Sequence, residues 1–229
     1  MTDNKATKEP EKETTEPKDP QAALRKKKIF TALALGLVFA LILALATFVD
    51  SNQRNSDSSE ALPANSLVGW WSSFCPAHNT IAADADALNI RKNESQEEYL
   101  DRLPNALERQ ASDFRSTALT MRSSSVMMSG SEKQKEALQE LIDVLYEGDK
   151  VFSAKSKELR ANPIKTQEQM DKLSETLRAI FEKYSATTQK VLSAIGQGDK
   201  QTQNRIRNLS ECKQLFVEME EQTKPKKQS

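Results

Sequence analysis

From Ile29 to Val49 the chain runs through 21 residues, IFTALALGLVFALILALATFV, without a single charge. At the helical rise of about 1.5 Å per residue this segment covers the roughly 30 Å of a bilayer's hydrocarbon, so it reads as a transmembrane helix. Arg25, Lys26, Lys27 and Lys28 stand directly before it, whereas Asp50 follows and only Arg54 is basic nearby. The positive-inside bias therefore holds the N-terminus in the cytosol and puts the 180 residues after Val49 outside it, as in a single-pass protein of the cell membrane. The basic quartet would also attract anionic lipid, at about 1 kcal/mol per residue, although orientation alone accounts for it. A cleaved signal peptide is the competing reading, because Ala44, Leu45 and Ala46 form an A-x-A pattern. The long leader and long apolar run favour an uncleaved anchor.

The segments on either side of the span differ in kind. Residues 1–28 are rich in Lys, Glu, Thr and Pro with no apolar period, so they cannot bury enough surface to offset chain entropy and read as a disordered cytoplasmic tail. Residues 50–66, DSNQRNSDSSEALPANS, have the composition of a flexible stalk. Residues 67–222 then hold a helical period throughout, and residues 223–229, TKPKKQS, form a short basic tail expected to be frayed.

Five amphipathic segments fill that region. The first, near Leu67 to Ile90, sets Trp70, Phe74, Ala77, Ile81, Ala85 and Leu88 on one stripe. A second, near Gln96 to Ser124, aligns Leu100, Leu103, Leu107, Ala111, Phe114, Ala118 and Met121. Pro104 inside it means either a kink or a helix that starts with Pro104 at its first position, and the sequence leaves both open. The pattern breaks over Ser125 to Ser131, where Ser131 is placed to cap a third helix running toward Arg160 with Leu138, Leu141, Leu145, Gly148, Phe152 and Leu159 on its seam. A fourth, near Thr166 to Ile195, ends at Gly196, the expected left-handed cap. The fifth, near Asp199 to Gln222, presents Ile206, Leu209, Cys212, Phe216 and Met219. Short breaks between helices make neighbours antiparallel, and no run of alternating β-branched residues supports a strand. The expected fold is all-α: an N-terminal transmembrane helix followed by an extracytoplasmic up-and-down antiparallel bundle of about five long helices, packed along narrow coiled-coil-like seams.

Few residues suggest chemistry. Cys75 and Cys212 are the only cysteines and both fall on the predicted outer side, where an intrachain disulfide would tie the first helix to the last. Free thiols or intermolecular bonds are the alternatives. Cys75, Pro76 and His78 also sketch a metal or haem ligand pair, but the chain has no further His and only one other Cys, so carboxylates would have to complete a site. Asp84 and Asp86, two apart on a helix, point to different faces and cannot act together. His78 is the only histidine, no G-x-S-x-G elbow is present, and six scattered glycines form no phosphate-binding loop. Metal and cofactor are therefore not expected. Asn93–Ser95 and Asn208–Ser210 match the glycosylation sequon, which matters only in a eukaryotic host.

Contact residues are better represented. Trp70 fits the first seam, whereas Trp71 does not, which makes Trp71 a candidate surface or partner contact. Met127 and Met128, beside Val126 in a polar loop, are a candidate adaptable contact, against the plainer reading of a loop folded onto the bundle end. A formal net charge of +0 argues against nucleic acid as a partner. The reading that follows is a non-catalytic, membrane-anchored bundle that binds or braces another membrane or envelope protein or a second copy of itself, with the lipid bilayer as its first partner. A bundle holding a small molecule or cofactor between its helices, in space left by Gly148 and the small Ala positions, is the second reading.

Overall fold

The computed structural model describes residues 62–196, 198–213 and 215–216. The span Ile29–Val49, the quartet Arg25, Lys26, Lys27 and Lys28, the two terminal tails and most of the stalk lie outside the described residues. Among the described residues no helix is long and apolar enough to cross a membrane.

The described chain is helical, with no strand among the described residues. Helix α1 spans Ala64–Asp86, α2 Gln96–Arg122, α3 Ser125–Ser129, α4 Glu132–Ala161, α5 Gln167–Ile195 and α6 Lys200–Arg207, followed by a 3-10 turn at Ser210–Cys212. Local chemistry fixes the starts of the long helices. The Ser95 hydroxyl accepts from the N–H of Glu98 and the Glu98 carboxylate accepts from the N–H of Ser95, a reciprocal cap on two otherwise orphaned donors. Ser131 with Gln134 and Thr166 with Gln169 repeat the device at α4 and α5, and the Asp199 carboxylate caps α6 through the N–H of Thr202.

Helices α1, α2, α4 and α5 run alternately up and down. Ser156 Oγ donates to the carbonyl of Pro104 at 2.8 Å and the Arg160 guanidinium meets Asn105 and Glu108, so the end of α4 lies beside the start of α2. Lys183 with Glu147 and Lys190 with Glu140 pair α5 with α4 along their exposed edges. Large side chains close the ring between α5 and α1, where Nδ1 of His78 and the hydroxyl of Tyr184 are 2.8 Å apart. The interior is aromatic: Phe114 packs on Phe152, Phe181 and Tyr184 with ring centroids 5.2 to 6.0 Å apart.

The loop from Ala87 to Ser95 is gathered by one cation. Arg102 bonds both carboxylate oxygens of Glu94 and the carbonyls of Ala87 and Asn89. That hydrogen-bonded guanidinium holds the Glu94 carboxyl down at about 2. Asn93, at φ 69, supplies the left-handed corner that Asn tolerates better than most residues.

Several local expectations change. Helix α2 runs through Pro104 from Gln96, so Pro104 neither starts it nor divides it; packing of Leu103, Ala106 and Leu107 offsets the cost of an interior proline, about 3 kcal/mol for the lost backbone bond and the ring's clash together. The stretch 125–131 is partly helical because Val126, at 0% exposure, folds α3 onto the core. Helix α1 begins inside the segment read as stalk, and Leu62 is already buried. Gly196 has the expected positive φ of 71, but its ψ of −169 is extended rather than helical. The last segment is not one long helix: α6 stops at Arg207, Leu209 is extended, and the 3-10 turn delivers Cys212 to α1.

Candidate functional site

Cys75 and Cys212 form a disulfide across 137 positions, with Cα atoms 5.1 Å apart. Both are at 0% exposure, and Cys212 Sγ lies 3.5 Å from the carbonyl oxygen of Trp71. Asn79 Nδ2 donates to the Glu211 carbonyl at 2.8 Å and holds the turn beside the bond. The metal reading of Cys75 and His78 fails here, because Cys75 is spent in the disulfide and His78 points into the core. Among the described residues there is no group of three or more His, Cys, Asp or Glu side chains suited to a metal ion.

Trp71 is a correction. It is at 0% exposure, donating from Nε1 to the Gly196 carbonyl at 3.3 Å and packing against Trp70, Phe74 and Phe216. A single-stripe reading put it off the seam. Yet α1 is covered on two faces, by the long helices on one and by the segment containing α6 and the 3-10 turn on the other, so it buries Trp70, Trp71, Phe74 and Cys75 together. Trp71 is thus a core residue, not a free contact surface. Met127 is partly buried against the core, whereas Met128, on the same short helix, is 75% exposed.

The room expected beside Gly148 is also absent. A β-carbon there would meet the Phe114 ring, so the missing side chain admits an aromatic ring of the protein itself.

The structure brings together groups that the sequence did not pair. Burial without a charge partner pushes His78 down to about 4, so it is neutral at pH 7, stacked between Phe74 and Tyr184. Desolvation, and then a hydrogen bond shared with the Asp84 carboxyl of α1, push Asp113 of α2 up to about 7, with the cation of Arg109 opposing the rise. Gln110, one turn away from Asp113, donates from Nε2 to the Ile81 carbonyl at 3.3 Å, so α1 and α2 meet here through polar groups. The available signal was two polar residues, Gln110 and Asp113, flanking the apolar Ala111 and Phe114. Two carboxyls at a helix contact can share a proton, with the Gln110 amide one turn away.

Compared with known protein families, with curated proteins and with solved structures, the chain matches none.

Proposed function

We propose that this chain is a single-pass membrane protein that displays a disulfide-closed helical bundle outside the cytosol, where the bundle binds or braces another membrane or envelope protein without chemistry of its own. The observation that carries the reading is the Cys75–Cys212 bond. Such bonds persist in oxidising compartments, the side of the membrane to which the charges flanking Ile29–Val49 assign the bundle. Two independent features thus favour one location. The burial pattern adds support for a rigid display module. The aromatic seams face inward, and the outer faces of α2, α4 and α5 carry charged pairs such as Arg115–Asp149 and Lys190–Glu140. A polar outer face suits a partner bound by complementary charge and hydrogen bonds. The small-molecule reading loses the space it relied on beside Gly148, which the Phe114 ring fills.

Crosslinking in intact membranes, followed by mild solubilisation, capture of the chain and mass spectrometry, tests the proposal. One stoichiometric protein partner, lost when the bundle's exposed charges are reversed, is the expected result. Recovery of the oxidised chain alone would overturn the interaction reading.

A further inference from the structure

Among the described residues two large hydrophobic side chains are exposed, Leu119 at 54% and Met128 at 75%. Both belong to one end of the bundle. Leu119 is in the last turn of α2, whose Ser123 N–H reaches back to its carbonyl, and Met128 is on α3. Ser125 of α3 donates to the carbonyl of Ser66 at 2.9 Å, and Arg205 of α6 donates to Asn65 at 3.0 Å. This is therefore the end at which the chain enters the bundle at Leu62.

Entry position limits what the end can face. Twelve residues separate Val49 from Leu62. Fully extended they reach about 40 Å, and the random-coil average for that length is about 20 Å. Helix α4 alone is about 45 Å long at its 30 residues. The far end of α1, about 35 Å from its start at 23 residues, could rest on a bilayer that holds Ile29–Val49 only with the connection almost fully extended, whereas the entry end rests there with the connection relaxed. α3 has the form of a small contact element: Val126 fixes it to the core at 0% exposure, Met127 packs partly beneath it, and Met128 stands free. Arg122, exposed in the last turn of α2, adds a cation at this end, and Glu132 nearby is offset by Lys135 at 3.0 Å.

We infer that the entry end of the bundle, through Met128 and Leu119, docks on the surface of the lipid bilayer that anchors the chain. The inference rests on the membrane-anchored reading. Two apolar side chains would not hold a free protein on a membrane, but a short tether keeps this end at high effective concentration beside the headgroups, where a weak contact suffices. Methionine adapts to an irregular, mobile surface, and the arginine suits lipid phosphates. The result is a bundle held upright with its far end presented outward.

The full chain reconstituted in phospholipid nanodiscs tests this. Met128→Trp is compared with Ala161→Trp, a control at the far end of α4, in ordinary and brominated lipid, with the wild-type emission subtracted to remove Trp70 and Trp71. The expected result is a blue-shifted emission from position 128 that brominated lipid quenches, and an unquenched emission from position 161. If the chain resists alkaline extraction from the bilayer yet position 128 is unquenched, the docking is wrong and the anchor stands. If position 128 is shielded without bromine quenching and the chain crosslinks to itself, a second copy covers this end and the lipid assignment is overturned. Release of the chain by alkaline extraction would overturn the anchor and the docking together.

Discussion

A β-carbon on Gly148 would collide with Cδ1 of Phe114, so the packing of α2 against α4 at this point depends on the absence of one side chain. Phe114 in turn touches Phe152, Phe181 and Tyr184, which makes this contact the joint on which three helices register. Gly148→Ala gains up to about 1 kcal/mol in helix propensity, but overpacking a rigid ring costs typically about 1–3 kcal/mol. The variant should melt several degrees lower, at about 3 °C for each kcal/mol lost in a domain of this size. Thermal unfolding followed by circular dichroism reads this directly, and an unchanged or higher Tm would show that the joint is loose.

The disulfide restrains a long loop, and chain entropy assigns it about 5 kcal/mol. A Cys75→Ser, Cys212→Ser double variant should lose several kcal/mol in denaturant titrations. It should also loosen the C-terminal segment first, because Phe216 packs on Trp71 beside the bond. Tryptophan emission should therefore shift red at lower denaturant than the helical signal is lost. Coincident transitions would show that the segment is held without the bond.

Two buried groups give opposite pH dependence over nearly the same range. His78 has a folded-state value of about 4 against 6.5 when unfolded, so its share of stability is complete above 6.5 and declines as pH falls toward 4, by about 3 kcal/mol in all. Asp113 behaves the other way: its value rises from 3.8 to about 7, so stability is complete below 3.8 and is lost as pH rises through 7. The two contributions therefore oppose each other in the wild-type profile. Asp113→Asn, which mimics the protonated acid, should stabilise the protein at pH 7.5, have no effect at pH 3.5, and expose a rise in stability with pH from His78. Urea midpoints measured across this range test it, and a pH-independent effect of Asp113→Asn would contradict the shared proton.

Helix caps give a smaller, local effect. Ser131→Ala removes the acceptor for the Gln134 N–H at the start of α4 and should cost about 1 kcal/mol. The urea midpoint should fall while the slope stays constant, since the surface exposed on unfolding is unchanged. A fall beyond about 3 kcal/mol would mean that the α3–α4 corner carries more than a cap.

The positions of the long helices, and the starts of α2, α4 and α5, were legible because their signals are local. Leu103, Leu107, Phe114 and Met121 recur at helical spacing, and Ser131 and Gln134 stand three apart, as a capping box needs. The two cysteines could be paired from their number and predicted compartment alone. What escaped depends on which elements cover which face. Trp71 fell off a single stripe, and only the return of the 3-10 turn to α1 explains its burial. The Asp84–Asp113 contact joins two helices at a register that no spacing within one helix encodes. Gly148 looked like vacant space because the partner ring lies 34 positions earlier in the chain. The stop of α6 at Arg207 was hidden for the same reason, since the disulfide partner that draws Cys212 aside is on α1.

Protease treatment of intact cells, paired with non-reducing electrophoresis and alkaline extraction of the membranes, tests the proposed topology most directly. The account predicts a chain that stays with the membrane, whose bundle is digested without permeabilisation, and whose Cys75 and Cys212 resist alkylation until reduced. A bundle protected until the membrane is opened, or cysteines alkylated without reductant, would contradict it.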